Sequence, residues 1–261
     1  MDIVGIVPAR GESKRLARKN ALTIGGRTLI QRVADAASES KLLSRVVVST
    51  DDDEITRQAM DADLNVNLRP VEFRTYKTRT WQIVQHILND VAPDADIAVM
   101  LLPTVPFRTG ATIDRTIEAL IEAGDKRFWG DPSHIKMTPL PAYIHRWHRT
   151  SAFTVKDADY PADWQFVKNE NGHYVRYNQS GLKSREDSPS YIHDGSVWAT
   201  WADYARVTPN FTDDDSPRIG VMQTDEREAL DIDWQWQLDL ARLWAGEYVR
   251  EQAPEMVGVP S

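Results

Sequence analysis

Apolar residues along the first half of the chain come in short runs separated by helical spacings. Residues 3–7 form an apolar run closed by Pro8, the pattern of a buried parallel strand. Leu29, Val33, Ala36 and Ala37 then recur at helical spacing. Residues 46–48 form a second run that ends in Ser49-Thr50-Asp51-Asp52, where Asp52 is placed to cap a helix reaching about residue 60. A strand is predicted over 65–68, a helix over 81–88, the most apolar strand over 97–102, and a helix from Gly110 to about residue 123. Strands alternating with helices predict an α/β domain whose sheet is mostly parallel, with right-handed crossovers. The periodicity breaks over 128–189, which is rich in aromatics, prolines and polar residues and reads as an insertion of strands and loops, or an arm. Strands return over 196–199 and 219–222, and a closing helix is predicted over 234–251. The expectation is a single domain over residues 1–261 carrying an inserted segment.

Composition narrows the possibilities. A formal charge of −8 over 261 residues argues against general affinity for nucleic-acid backbones. It leaves room for a local basic pocket that takes a phosphorylated small molecule. Cys is absent, which removes disulfides, thiolate zinc sites and cysteine nucleophiles. The N-terminus lacks the basic and apolar regions of a signal peptide, and no run approaches the length needed to span a membrane. The expected location is therefore the cytoplasm.

The chemistry concentrates in the segment that follows the first strand. Residues 7–20 read Val-Pro-Ala-Arg-Gly-Glu-Ser-Lys-Arg-Leu-Ala-Arg-Lys-Asn, with cations at Arg10, Lys14, Arg15, Arg18 and Lys19. Such a loop leaves the carboxyl end of a strand, where open α/β sheets bind ligands, and it can enclose a triphosphate. An ordinary solvated basic loop has the same composition. It is neither a Walker loop nor a dinucleotide fingerprint. The second feature is Leu230-Asp231-Ile232-Asp233. In an extended segment the two carboxylates face one side and can share a Mg²⁺ with phosphate oxygens. The alternative is that Asp233 caps the last helix. For the run Asp51-Asp52-Asp53 the expected role is capping and dipole compensation.

These blocks resemble the N-acylneuraminate cytidylyltransferases, the synthetases of CMP-sialic acid and related CMP-nonulosonic acids. The resemblance rests on the opening loop and on Val47-Val48-Ser49-Thr50-Asp51-Asp52 and Leu68-Arg69-Pro70. It continues at Leu101 to Thr109, at Asp194-Gly195-Ser196-Val197 and at Asp231-Ile232-Asp233, in the family's order. It implies a Rossmann-like nucleotidyltransferase fold, a mostly parallel sheet with helices on both faces, and a dimerisation arm at about 128–189. It also implies transfer of CMP from CTP to the anomeric hydroxyl of a 2-keto sugar acid of nonulosonic type, with release of pyrophosphate. By the same resemblance Arg10 and Lys19 face the CTP phosphates, and Ala9, Gly11, Lys14, Asn20 and Arg69 complete the nucleotide side. Asp231 and Asp233 hold Mg²⁺, or Mn²⁺, and Arg10, Lys19 and the Asp pair are the catalytic set. Leu102, Arg185 and Asp194 fall on the sugar side, and the assembly is a homodimer.

The chain also departs from the family pattern. Leu102 stands where many members have Gln, Asp194 where an Asn precedes Gly, and Thr75-Tyr76-Lys77-Thr78-Arg79-Thr80 replaces a Ser-Asp-Thr-x-Ser-Ser stretch beside the nucleoside. The departures cluster on the sugar and base sides, while the phosphate loop and the Asp pair are kept. Transfer to another sugar acid such as KDO, use of another nucleotide, or a catalytically weak nucleotide-binding homologue are the competing expectations.

Overall fold

The computed structural model describes residues 1–125, 150–158, 166–168, 174–176, 191–209, 211, 218–223 and 225–247. The first apolar run is strand β1 (Ile3–Pro8), buried until its last residue. A two-stranded hairpin follows, β2 (Thr23–Ile24) and β3 (Arg27–Thr28), and leads into helix α1 (Leu29–Glu39). Thr28 caps α1 through its side chain, and Gln31 reaches back to the Thr28 amide to complete a capping box. Strand β4 (Arg45–Thr50) and helix α2 (Asp53–Asp61) come next. The Asp52 carboxylate accepts from the amides of Glu54 and Ile55, the expected cap. Strand β5 (Asn65–Leu68) is followed by helix α3 (Thr80–His86), which continues into a π-helical turn over Ile87–Val91. Strand β6 (Ile97–Met100) is fully apolar and buried, and helix α4 spans Gly110–Asp125.

The later elements are strands β7 (Ser151–Asp157), β8 (Phe166–Lys168), β9 (Tyr174–Arg176), β10 (Tyr191–Trp201) and β11 (Arg218–Met222), with helices α5 (Ala202–Val207) and α6 (Gln235–Trp244). Seven strands form one sheet in the order β11-β7-β10-β6-β1-β4-β5. Its β6-β1-β4-β5 half is parallel, β10 runs antiparallel to both β6 and β7, and β11 is parallel to β7. The mostly parallel α/β sheet read from the sequence is the observed one. Helices α1, α2 and α4 pack together, while α3 packs with α5, so the sheet carries two groups of helices.

Two expectations need correction. The stretch 128–189 is not wholly an insertion, because β7 within it joins the central sheet between β10 and β11. Its apolar residues Ala152 and Val155 are buried there. Most of the remaining stretch lies outside the described residues, apart from the β8–β9 hairpin. The last helix ends at Trp244 rather than near 251, because Gly246 adopts a left-handed conformation (φ 78°) that stops it.

The main core fills both faces of the sheet, and a second, smaller core lies apart from it. Ile24, Leu29, Leu230, Ile232, Leu238 and Ala241 are buried together, with Leu16, Leu22 and Phe107 packed against them. This cluster joins the C-terminal segment and α6 to the hairpin and loop after β1. Among the described residues no helix is long and apolar enough to cross a membrane.

The Thr28 cap is testable because it lies away from the loop. Thr28→Ala is expected to lower stability by about 1 kcal/mol in urea unfolding, and Thr28→Ser to retain most of it.

Candidate active site

The loop after β1 is held open by its own hydrogen bonds. The Ala9 amide donates to the Ser49 carbonyl (2.9 Å), and the Gly11 amide donates to the Asp51 carboxylate (2.8 Å). Asp51 therefore pins the loop rather than capping α2. Arg18, at a left-handed φ of 49°, pairs with Asp52 (3.0 Å), and the buried Asn20 side chain donates to the Arg10 carbonyl (2.9 Å). Both ends of the loop are thus tied to β4 or to each other. This leaves the side chains of Arg10, Lys14, Arg15 and Lys19 on the wall of a cleft of about 710 Å³.

The Asp pair reaches the same cleft from the other end of the chain. Ile232 is buried in the second core, and its amide donates to the Thr104 carbonyl (2.8 Å). With Ile232 held inward, Asp231 and Asp233 both line the cleft. Asp233 accepts from Lys19 Nζ (2.5 Å) and pairs with Arg15 (2.7 Å). The first turn of α6 is served instead by the Gln237 side chain, which accepts from the amides of Asp233 and Trp234. The capping reading of Asp233 therefore does not hold, since its carboxylate is spent on cations of the loop.

Asp231 sits in a different environment. Burial pushes its carboxyl above the usual carboxylate range, against the opposing effects of a hydrogen bond with Thr104 and the charge of Lys19. Its Oδ1 is buried and has no hydrogen-bond partner. Gly195 makes room beside it: at φ 80°, a Cβ there would lie 3.4 Å from the Asp231 carboxylate and 3.3 Å from Leu102. Among the described residues no group of three or more His, Cys, Asp or Glu could hold a metal by itself. Two carboxylates in a cleft, one with an orphaned oxygen, fit Mg²⁺, which takes one or two carboxylates and completes its shell with phosphate and water.

The other expected residues are distributed as follows. Arg69 is buried, donates to the Ser49 carbonyl (2.9 Å) and lines the cleft, and burial pushes its guanidinium below its ordinary range. Leu102 also lines the cleft. Ala9 is fully buried behind the loop, and Gly11 lines an adjoining cavity of about 610 Å³. Asp194 is buried away from the cleft lining and accepts from the Ser196 amide (2.8 Å) and the Thr154 hydroxyl (2.5 Å). Through Oδ1 it braces the irregular pairing of β10 with β7, while its Oδ2 is buried without a hydrogen-bond partner. Arg185 lies outside the described residues.

The sequence pattern gives no role to Thr104 or Arg108 and none to Arg15 beyond loop charge, while the 75–80 segment reaches the site as expected. Arg15 pairs with Asp233, the Thr104 carbonyl anchors Ile232, and Thr78, Arg79 and Thr80 line the cleft. Arg108 is fully enclosed and donates to the carbonyls of Ser196 (2.6 Å) and Leu102 (2.7 Å). Burial lowers its pKa to about 10, with Asp194, Asp231 and Glu228 acting in opposition, so it stays charged at neutral pH. An arginine between Phe107 and Thr109 carries no periodic signal that would have placed it inside.

A family model described as Cytidylyltransferase matches residues 4–162. The chain belongs to the cytidylyltransferase family. The matched range includes the loop, Arg69 and Leu102 and ends before the Asp pair. The N-acylneuraminate cytidylyltransferase of Escherichia coli O18:K1:H7 is 32% identical over 116 residues, 44% of this chain and 27% of that protein. The 3-deoxy-manno-octulosonate cytidylyltransferase of Bdellovibrio bacteriovorus is 34% identical over 122 residues, 47% of each. The chain thus spans about a quarter to a half of the length of these relatives. A pseudaminic acid cytidylyltransferase of Campylobacter jejuni is 24% identical over 243 residues, covering 91% of this chain and 94% of that protein. In fold, the chain is similar to a CMP:2-keto-3-deoxy-manno-octonic acid synthetase complexed with CTP, with a TM-score of 0.64 and 17% identity over 95% of this chain and 100% of that one.

The two aspartates should part company in stability. At pH 7 with EDTA, Asp231→Asn removes a buried, incompletely paired charge and is expected to raise Tm by about 2–4 °C, the shift of roughly 1 kcal/mol in a domain of this size. Asp233→Asn strips Lys19 and Arg15 of their counter-charge and is expected to lower Tm in the same scan.

Proposed function

We propose that the protein transfers CMP from CTP to the anomeric hydroxyl of a 2-keto sugar acid of nonulosonic type and releases pyrophosphate. The observation that carries this reading is one cleft in which the cations after β1 meet the Asp pair some 214 positions later, at the Lys19–Asp233 contact. The relatives acting on sialic, pseudaminic and 3-deoxy-manno-octulosonic acids, by their names, support a sugar-acid acceptor.

In the proposed reaction the sugar oxygen bonds to the α-phosphorus as the bond to the bridging oxygen breaks, and negative charge grows on the departing pyrophosphate. Arg10, Lys14 and Lys19 hold the triphosphate. Lys19 faces the developing charge, where a fixed cation stabilises the transition state more than the ground state. Arg15 leaves Asp233 for a phosphate oxygen when the nucleotide enters. Asp231 and Asp233 would hold Mg²⁺, or Mn²⁺, which when bound neutralises phosphate charge and aligns the phosphate chain. Arg69, Asn20 and residues 78–80 border the nucleoside, and Leu102 with Thr104 borders the acceptor.

Pyrophosphate release across the four nucleoside triphosphates, with a panel of nonulosonic acids and KDO as acceptors, tests the proposal. Turnover is expected with CTP and a nonulosonic acid. Lys19→Ala should lower kcat by about 10²–10³-fold, comparable to losing one fixed transition-state donor. Best turnover with KDO would move the acceptor assignment. Silence with every pair would favour the nucleotide-binding homologue.

We extend the proposal to a homodimer formed through the segment at about 128–189, on the strength of the family resemblance there. Light scattering at micromolar concentration is expected to give twice the chain mass, and a monomer would remove the idea.

A further inference from the structure

We propose that Tyr76 is the nucleobase platform of the cleft, a stacking surface that Lys14 covers until a triphosphate draws the ammonium away. The inference rests on the nucleotidyltransferase reading and deepens it.

Tyr76 is 65% exposed, an unusual state for a large ring on a cavity wall. Among the described residues that line the main cleft it is the one aromatic side chain. It also lines the adjoining cavity, together with Arg10, Lys14 and Arg69, so it stands where the two spaces meet. The loop that carries it is tied at both flanks. Arg74 Nε donates to the Arg69 carbonyl (2.7 Å), Phe73 lies against His86 in a tilted pair (5.3 Å between centroids), and the Thr78 amide donates to the Thr75 carbonyl (3.2 Å). The ring is thus presented by a braced turn.

Its exposed surface has a partner in the cationic loop. Lys14 Nζ lies 4.3 Å from the ring centroid, within cation–π range, and Lys77 lies 6.0 Å away. Lys14 belongs to the same loop as Arg10 and Lys19, so an incoming triphosphate competes with the ring for its ammonium. A polyanion is the stronger partner for a solvated cation. Once Lys14 turns to phosphate, the ring keeps only the more distant Lys77 and is open to a base. Leu102, Thr104 and Asp231, with Gly195 beside Leu102 and Asp231, also belong to the site and are left to the acceptor. A nucleobase stacked on an aromatic ring gains sequence-tolerant binding through its π face. In this chain Tyr76 falls in the 75–80 segment that departs from the family's Ser-Asp-Thr-x-Ser-Ser pattern, so the platform would be a property of this chain.

Titration calorimetry with CTP and with inorganic tripolyphosphate, on the wild-type protein, Tyr76→Ala and Tyr76→Phe, tests the assignment. The expected result is CTP binding weakened roughly 10-fold by Tyr76→Ala, near-wild-type CTP binding by Tyr76→Phe, and tripolyphosphate binding no weaker in either variant. Unchanged CTP affinity in Tyr76→Ala would overturn the platform, as would equal weakening of CTP and tripolyphosphate, which would reduce Tyr76 to a support for Lys14. A wild-type protein that binds tripolyphosphate but no nucleoside triphosphate would overturn the functional reading and the platform together. The exposure of the ring keeps both variants foldable.

Discussion

The site depends on the burial of Ile232. An apolar side chain taken fully out of water contributes roughly 1.5–3 kcal/mol, and here it also sets direction. With Ile232 locked into the small core beside Ile24, Leu29 and Leu238, its neighbours on an extended backbone must face the opposite way. The amide-to-carbonyl bond from Ile232 to Thr104 fixes the register against the segment after β6. Two carboxylates are thereby delivered to the loop that follows β1, and Lys19 and Arg15 close on Asp233.

That arrangement concentrates positive charge in a protein whose overall balance is acidic. The loop cations are not dispersed over the surface, because Asp51 holds the Gly11 amide, Asp52 holds Arg18, and Asn20 holds the Arg10 carbonyl. These three contacts use side chains at the ends of β4 and of the loop itself, leaving Arg10, Lys14 and Lys19 facing the cleft. Asp233 supplies the counter-charge for Lys19 and Arg15. A carboxylate paired with two cations of the loop keeps them turned towards the cleft.

A second charged layer lies behind Leu102. Arg108, enclosed and held by two carbonyls, spans the backbone after β6 and the irregular turn of β10. Asp194 secures that turn from the other side through the Ser196 amide and Thr154. A buried guanidinium held by two carbonyls is costly to disturb, since moving either carbonyl away would leave a charge in the interior less well paired. The Leu102 and Gly195 backbones beside Asp231 are consequently set by polar contacts rather than by apolar packing alone.

Much of this was determined by the sequence itself. The strands of the parallel half and helices α1, α2 and α4 follow from apolar spacing and from Asp52 as a cap, because these signals act over a few residues and need no distant partner. The loop after β1 and the Asp pair were visible as chemistry for the same reason: five cations or two alternating carboxylates are local facts. Tertiary structure alone decided what those groups do. Whether Asp233 caps a helix or faces a cation depends on Lys19, which lies at the other end of the chain. The role of Asp194 as a brace depends on Thr154, and the inclusion of β7 in the central sheet depends on pairing with β10 and β11. Arg108 was illegible because burial of an arginine is set by the carbonyls and carboxylates that surround it. Those partners are brought together by folding and leave no mark on the local pattern of apolar and polar residues.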